Sequence, residues 1–311
     1  MTARTKRNRL FAAGVVAASV SLVLTGCSSS KSSSSSPSGG VNASATIPAV
    51  AADPALAAQV PADVKSTGKI VVAADASYAP NEFQDAQNKI IGMDVDLANA
   101  IGQKLGLQVE VQNSPFTAII PGIQANKFQL GMSSFTDNKE REATVDMVTY
   151  FSAGTSAAVK KGNPDKIDPN DLCGKKVAVQ TGTTQADQIK DVINPACVKA
   201  GKPPIPNDGD KFDLQTDVTT ALVSGRDQVM LADSPVVDYA LKQTNGQLEQ
   251  LGTVEGKAPY GVVLAKGSPL AAPVQGAVQS LIDDGTYKAI LEKWGVQAGA
   301  IDKSVTNGAT S

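Results

Sequence analysis

The sequence predicts an α/β protein of two lobes, and three observations carry that expectation. Short β-branched runs alternate with segments of helical period. Each run ends in a cluster of polar residues. The alternation occurs twice, with a long C-terminal return after the second unit. Each lobe is expected to hold a mixed sheet flanked by helices. Extended crossings near residues 152–156 and 255–260 are expected to join the lobes, with Gly154 and Gly256 as small residues suited to hinges.

The N-terminal 26 residues read as an export signal. Arg4, Lys6, Arg7 and Arg9 stand without an acid before an apolar run from Leu10 to Leu24, too short and too one-sidedly flanked for a membrane span. The run closes on Leu24-Thr25-Gly26-Cys27, which resembles the lipobox of bacterial lipoproteins. That resemblance implies cleavage before Cys27, fatty acylation of its sulfur and anchoring to the extracytoplasmic face of a bacterial cell membrane; the alternative is a chance cysteine. Residues 28–40 are serine, glycine, lysine and proline almost throughout, a composition that buries too little apolar surface to offset chain entropy. Residues 27–65 are therefore expected to form a tether, although the Ala-rich part from Val41 to Pro61 also suits a short helix.

In the body, the β-branched run 69–73 predicts a strand that ends in the polar turn 75–80. Met93, Leu97, Ile101 and Leu105 recur at helical spacing, with Asp94 placed to cap and Gly106 to stop. A strand is expected at 108–112, a helix at 116–125 and a strand at 128–133. Thr136 or Asp137 would cap the next helix, Asp137 and Glu140 resembling a capping box, and Arg141 would sit one turn in. The second unit reads as strands at 155–159, 176–180 and 228–232, with helices at 186–193, 218–223 and 236–242. Strands at 247–252 and 260–264 and helices at 270–282 and 287–294 complete the body, and a polar tail from Ala298 to Ser311 is expected to fray.

Composition excludes several functions. The formal net charge of −2 falls by four to −6 once the signal cations are removed, and no Lys/Arg cluster remains, which argues against nucleic acid. With no histidine in the chain, Ser-His-Asp, Cys-His and HExxH chemistries are closed. Neither a metal site nor a cofactor is expected. Cys173 and Cys197, in an exported chain, most simply pair, the alternative being two buried free thiols.

The segments Asp75-Ala76-Ser77-Tyr78, residues 92–97, 119–123 and 133–141, Gly182-Thr183-Thr184-Gln185, and Asp233 occur in an order that resembles the family 3 extracellular solute-binding proteins, the polar amino-acid receptors of ABC importers. Singly each is weak; jointly, over about residues 66–296, they are specific. The resemblance implies a two-lobed periplasmic-binding-protein fold of type II, with residues 66–153 and 257–297 forming one lobe and 154–256 the other. It implies that Arg141 grips a ligand carboxylate, helped by backbone N–H groups of Ser134 and Thr136 beside Ser133. Thr183, Thr184 and Gln185 would close a turn over the same carboxylate, and Asp233 would accept the ammonium. Asp75, Tyr78 and Phe116 would touch the ligand side chain. Gln180 stands where relatives selective for long cationic side chains carry an apolar residue, and Asn81 where an aromatic is common.

Two carboxylates against one arginine leave the expected site net negative by one. An α-amino acid uses Arg141 and Asp233, leaving Asp75 for an amide, hydroxyl or cation, so a glutamine-like ligand is expected first and a basic one second. The expected role is a monomeric receptor that binds a free amino acid and delivers it to ABC permease subunits. The alternatives are an enzyme on the same fold, of the cyclohexadienyl dehydratase type, which would need a buried acid or lysine beside the ligand, and a ligand-sensing domain.

Overall fold

The computed structural model describes residues 46–310. The expected signal peptide, Cys27 and the serine-rich stretch lie outside the described residues. Two short helices, α1 (Pro54–Gln59) and α2 (Ala62–Thr67), precede the first strand. Asp53 caps α1 by accepting from the amides of Ala55 and Leu56, and Pro54 occupies the first helical position, where its missing N–H is no loss. Ile47, Val50, Leu56 and Val64 pack on the main core and Val60 is buried in it. The tether expectation is thus corrected for residues 46–65, because this stretch has enough apolar side chains to dock.

Strand β1 (Lys69–Ala74) is buried along most of its length, as a continuous apolar run between two helical layers must be. Three short strands, β2 (Ser77–Tyr78), β3 (Glu82–Gln84) and β4 (Ile90–Ile91), form a small separate sheet. Helix α3 (Met93–Lys104) follows, and Gly106 stops it at φ 70°. Asp94 does not cap this helix; carbonyls of Pro80 and Asn81 accept from the amides of Met93 and Asp94 instead. Gly92 permits that approach, since a Cβ there would lie 2.0 Å from the Asn81 carbonyl oxygen. Then come β5 (Gln108–Asn113), α4 (Phe116–Gln124), β6 (Leu130–Gly131), α5 (Lys139–Glu142) and β7 (Val145–Lys160). β6 is shorter than the strand expected at 128–133, because beyond Met132 the serines turn toward buried acids.

The second unit holds β8 (Val177–Gln180), α6 (Thr184–Gln188), α7 (Asn194–Lys199), β9 (Asp210–Phe212), α8 (Gln215–Ser224), β10 (Val229–Asp233) and α9 (Ser234–Gln243). A π-helical stretch, Ile189–Ile193, joins α6 to α7, so the helix expected to end at residue 193 runs on to Lys199. A disulfide joins Cys173 to Cys197 with Cα atoms 5.6 Å apart, fastening α7 to the loop before β8. β11 (Leu248–Ala265), α10 (Ala271–Asp283) and α11 (Thr286–Trp294) return the chain to the first unit.

The large sheet runs β5-β1-β6-β11-β7-β10-β8-β9. β5, β1 and β6 are parallel to one another, as are β10, β8 and β9, and the antiparallel pair β7 and β11 passes between the two groups. The two expected crossings are therefore the middles of two long strands, interrupted by irregularities between Leu251 and Ala258. At Gly154 the strands approach so closely that a Cβ would meet the Glu255 carbonyl oxygen at 2.4 Å. One core cluster lies under α3, α10 and α11, and two others cover the faces of the β10-β8 group.

The frayed-tail expectation is also corrected over residues 298–310. Ser304 is buried, Val305 and Asn307 pair with Thr149 and Met147 of β7, and Gly308 and Ala309 donate to Asp137 and Glu142. The tail is polar because it satisfies a strand edge, where hydrogen-bonding groups are what docking requires.

Candidate functional site

The parallel strands of both groups deliver their carboxyl ends to one place. β1 leads into Asp75, β6 into Ser133, β8 ends at Gln180 and β10 at Asp233. Ligand groups gather at such strand ends in α/β sheets. All twelve residues expected from the sequence line a single narrow cavity.

Arg141 is the third residue of α5. Asn138, not Thr136 or Asp137, caps this helix, its Oδ1 accepting from the Arg141 amide at 2.9 Å. The capping-box expectation was one residue early: Asp137 is buried and accepts from the Gly308 amide. Arg141 Nη1 donates to the Thr136 carbonyl at 2.9 Å, and Nη2 to the Gly182 carbonyl of the second unit at 3.3 Å. Its guanidinium lies 5.3 Å from the Phe135 ring centre and 5.8 Å from that of Phe116, and the two rings stack at 4.5 Å. Burial lowers the guanidinium's pKa and nearby carboxylates, Asp187 and Asp233 first, oppose that; it remains a cation.

Asp233 is the N-cap residue of α9 yet makes no capping bond. Its Oδ1 accepts from Gln185 Nε2 at 2.8 Å and its Oδ2 from the Tyr78 hydroxyl at 2.9 Å, so the carboxylate faces the cavity rather than its helix. Burial raises its pKa, while the nearby Tyr260 hydroxyl and the hydrogen bonds from Tyr78 and Gln185 pull it back. Asp75 Oδ1 accepts from Ser77 Oγ at 2.6 Å, and its Oδ2 from the Phe116 amide at 3.0 Å and Gln180 Nε2 at 3.2 Å. Desolvation raises Asp75 as well, against those bonds. Thr183 caps α6 and donates to the Gln180 carbonyl, and Thr184 Oγ1 stands 3.5 Å from Thr136 Oγ1 across the cavity.

Comparison with known proteins decides the class. The family described as bacterial extracellular solute-binding proteins, family 3, matches residues 70–297. This chain belongs to that family. Arginine-binding protein ArgT of Corynebacterium glutamicum is 33% identical over 255 residues, 82% of this chain and 83% of that protein. An ancestral arginine-binding protein, solved bound to arginine and also to glutamine, is 36% identical with a TM-score of 0.66 in both structures; the arginine-bound one is matched over 73% of this chain and 98% of its own. An ancestral amino-acid-binding protein described as a precursor of cyclohexadienyl dehydratase is 33% identical, TM-score 0.66, over 75% of this chain and 97% of its own. The type II binding-protein fold follows from these likenesses and from the topology.

Beneath the cavity, this family 3 chain holds a polar network that its sequence did not announce. Ser133 Oγ accepts from the Asp75 amide and donates to Glu82 Oε1, each at 2.9 Å. Ser134, at φ 54°, donates its amide to Asp94 Oδ2 at 2.9 Å and its hydroxyl to Glu82 Oε2 at 3.2 Å. The Ser134 amide expected to serve a ligand carboxylate is therefore committed to Asp94. Asn81 Nδ2 donates to Ser134 Oγ, and the Tyr150 hydroxyl to Asp94 Oδ2 at 2.7 Å, so Asn81 braces the binding loop instead of flooring the pocket. Burial and the adjacent Asp94 charge hold Glu82 well above the carboxylate range, and burial lifts Asp94 to about 6. Tyr260, buried beside Asp233, completes the missed set.

Proposed function

We propose that the protein is a membrane-tethered receptor that clasps a polar α-amino acid between its lobes and hands it to an ABC permease. The observation that carries this is a half-buried arginine and a buried carboxylate, Arg141 and Asp233, brought by opposite units to one cavity. Arg141 takes the carboxylate, with Thr136 and the Thr183-Thr184 turn beside it. Asp233 takes the ammonium, held by Tyr78 and Gln185. The lobes are residues 66–153 with 257–297, and 154–256, and ligand bridging them favours closure. Cys27 carries the lipid, and the receptor acts as a monomer without cofactor or catalysis.

Within that class, Asp75 already accepts from three neutral donors, which supports a glutamine-like side chain that trades hydrogen bonds with Gln180. A basic side chain is the second reading, supported by the likeness to arginine-binding proteins and by the charge balance that a cation would bring to Asp75. Calorimetry with the twenty amino acids, on protein unfolded and refolded to strip bound ligand, tests both readings. Binding of none of them overturns the receptor; turnover of prephenate or arogenate by the pure protein makes it an enzyme. Arg141→Ala is expected to weaken binding by at least ~100-fold, the worth of two charge-assisted bonds, with unfolding unchanged.

A further inference from the structure

We propose that residues 302–310 form a strap that positions the Arg141 segment, and that Asp137 is a positioning residue for Arg141. The family match ends at residue 297, so the strap lies outside the residues that the family model matches. Its path is continuous. The Ile301 amide donates to the Tyr287 hydroxyl, Ser304 donates its amide to Gln279 Oε1 and its hydroxyl to the Thr149 carbonyl, and Thr306 Oγ1 donates to Gln275 Oε1, all within 3.2 Å. Along β7 it pairs as an added antiparallel edge. The Thr149 amide donates to the Val305 carbonyl at 2.9 Å, and the Asn307 amide to the Met147 carbonyl at 2.7 Å. β11 occupies the other edge of the same β7 residues, so the strap covers an edge that would otherwise stay open.

The strap then leaves the sheet and ends on the segment that carries Arg141. The Gly308 amide donates to Asp137 Oδ2 at 2.8 Å and the Ala309 amide to Glu142 Oε1 at 2.9 Å. These two acceptors stand just before and at the last residue of the helix of only four residues from which Arg141 projects, too short to hold itself. Asp137 follows Thr136, whose carbonyl receives Arg141 Nη1. Pinning residues 137 and 142 therefore fixes both the backbone that bears the guanidinium and the carbonyl that aims it. Gly308 is required at the contact, since a Cβ there would lie 2.6 Å from Val305 and 2.9 Å from Thr149 side-chain carbons.

This inference rests on the reading of Arg141 as the carboxylate grip, and the test separates the two. Three variants are compared with the wild type: deletion of residues 303–311, Asp137→Ala and Asp137→Asn. The readouts are calorimetric affinity for whichever amino acid the wild type binds, and hydrogen exchange of the amides at 139–144. Deletion and Asp137→Ala are expected to weaken binding ~10-fold or more and to speed exchange in α5, with β1 and β10 unaffected. Asp137→Asn retains an acceptor for Gly308 and is expected to stay within ~3-fold of wild type, which a loss of bulk stability would not reproduce. Unchanged affinity in a folded deletion, or in Asp137→Ala should the deletion not fold, overturns the strap. If the wild type binds no amino acid, the receptor reading falls instead, and unchanged α5 exchange in the variants would still overturn the strap.

Discussion

Gln180 shows how one side chain can divide ligand classes. Its amide donates to Asp75 and to the Asp213 carbonyl, so it neutralises none of the Asp75 charge while occupying its oxygen. Gln180→Leu should release Asp75 to a cation, and the arginine-to-glutamine affinity ratio is expected to rise ~10-fold in competition calorimetry. Asp233 gives a pH signature. Its pKa is raised by burial, and an ammonium ligand favours its ionised form, so binding on the acidic side of neutrality expels a proton. Titrations at pH 5.5 in buffers of different ionisation enthalpy should show that release, and Asp233→Asn should remove it. The gathering of Asp75, Gln180 and Asp233 was legible in sequence because polar residues at the ends of apolar strands need partners. Glu82 and Asp94 were not, because their partners are serine and tyrosine hydroxyls and each other, which no spacing rule reveals.

Elements with a strong period or a stop signal were read close to their bounds: β1, α3, α10 and α11 differ from expectation by a residue or two. Errors fell where distant chain supplies the deciding bond. The sequence offers Asp94 as a cap because nothing in it shows that the 80–81 carbonyls already hold the start of α3. That arrangement makes Gly92 irreplaceable. With φ 140° and a Cβ contact of 2.0 Å, Gly92→Ala is expected to lose at least ~2 kcal/mol in urea unfolding. The Cys173–Cys197 bond closes a sequence separation of 24, so the double serine variant should lose roughly 3.5 kcal/mol by the same measurement. Its ligand affinity should hold, since the bond fastens α7 and not the cavity.

For the molecule as a whole, buried acids set the pH of greatest stability. Asp94, Asp137 and Asp227 each rise from 3.8 to about 6, mainly through desolvation. Between those values the folded chain holds more protons than the unfolded one, so stability falls as pH climbs through that window. Carboxylates lowered by partners, such as Asp146 and Asp284, lose their contribution only below 3.8 and leave the window untouched. Thermal midpoints are expected to be higher at pH 5.5 than at pH 7.5. The two-lobed plan was legible because alternation and polar strand ends recur; the continuity of β7 and β11 was not, since Gly154, Gly252 and Gly256 read as breaks. Those glycines sit in a ribbon whose ladder is irregular from Leu251 to Ala258 and again between Tyr260 and Gly261. Torsion of that ribbon can turn one lobe against the other with little loss of core packing. Its springiness, set by few backbone bonds, is then expected to govern how fast the receptor samples ligand, leaving the cavity to decide what stays.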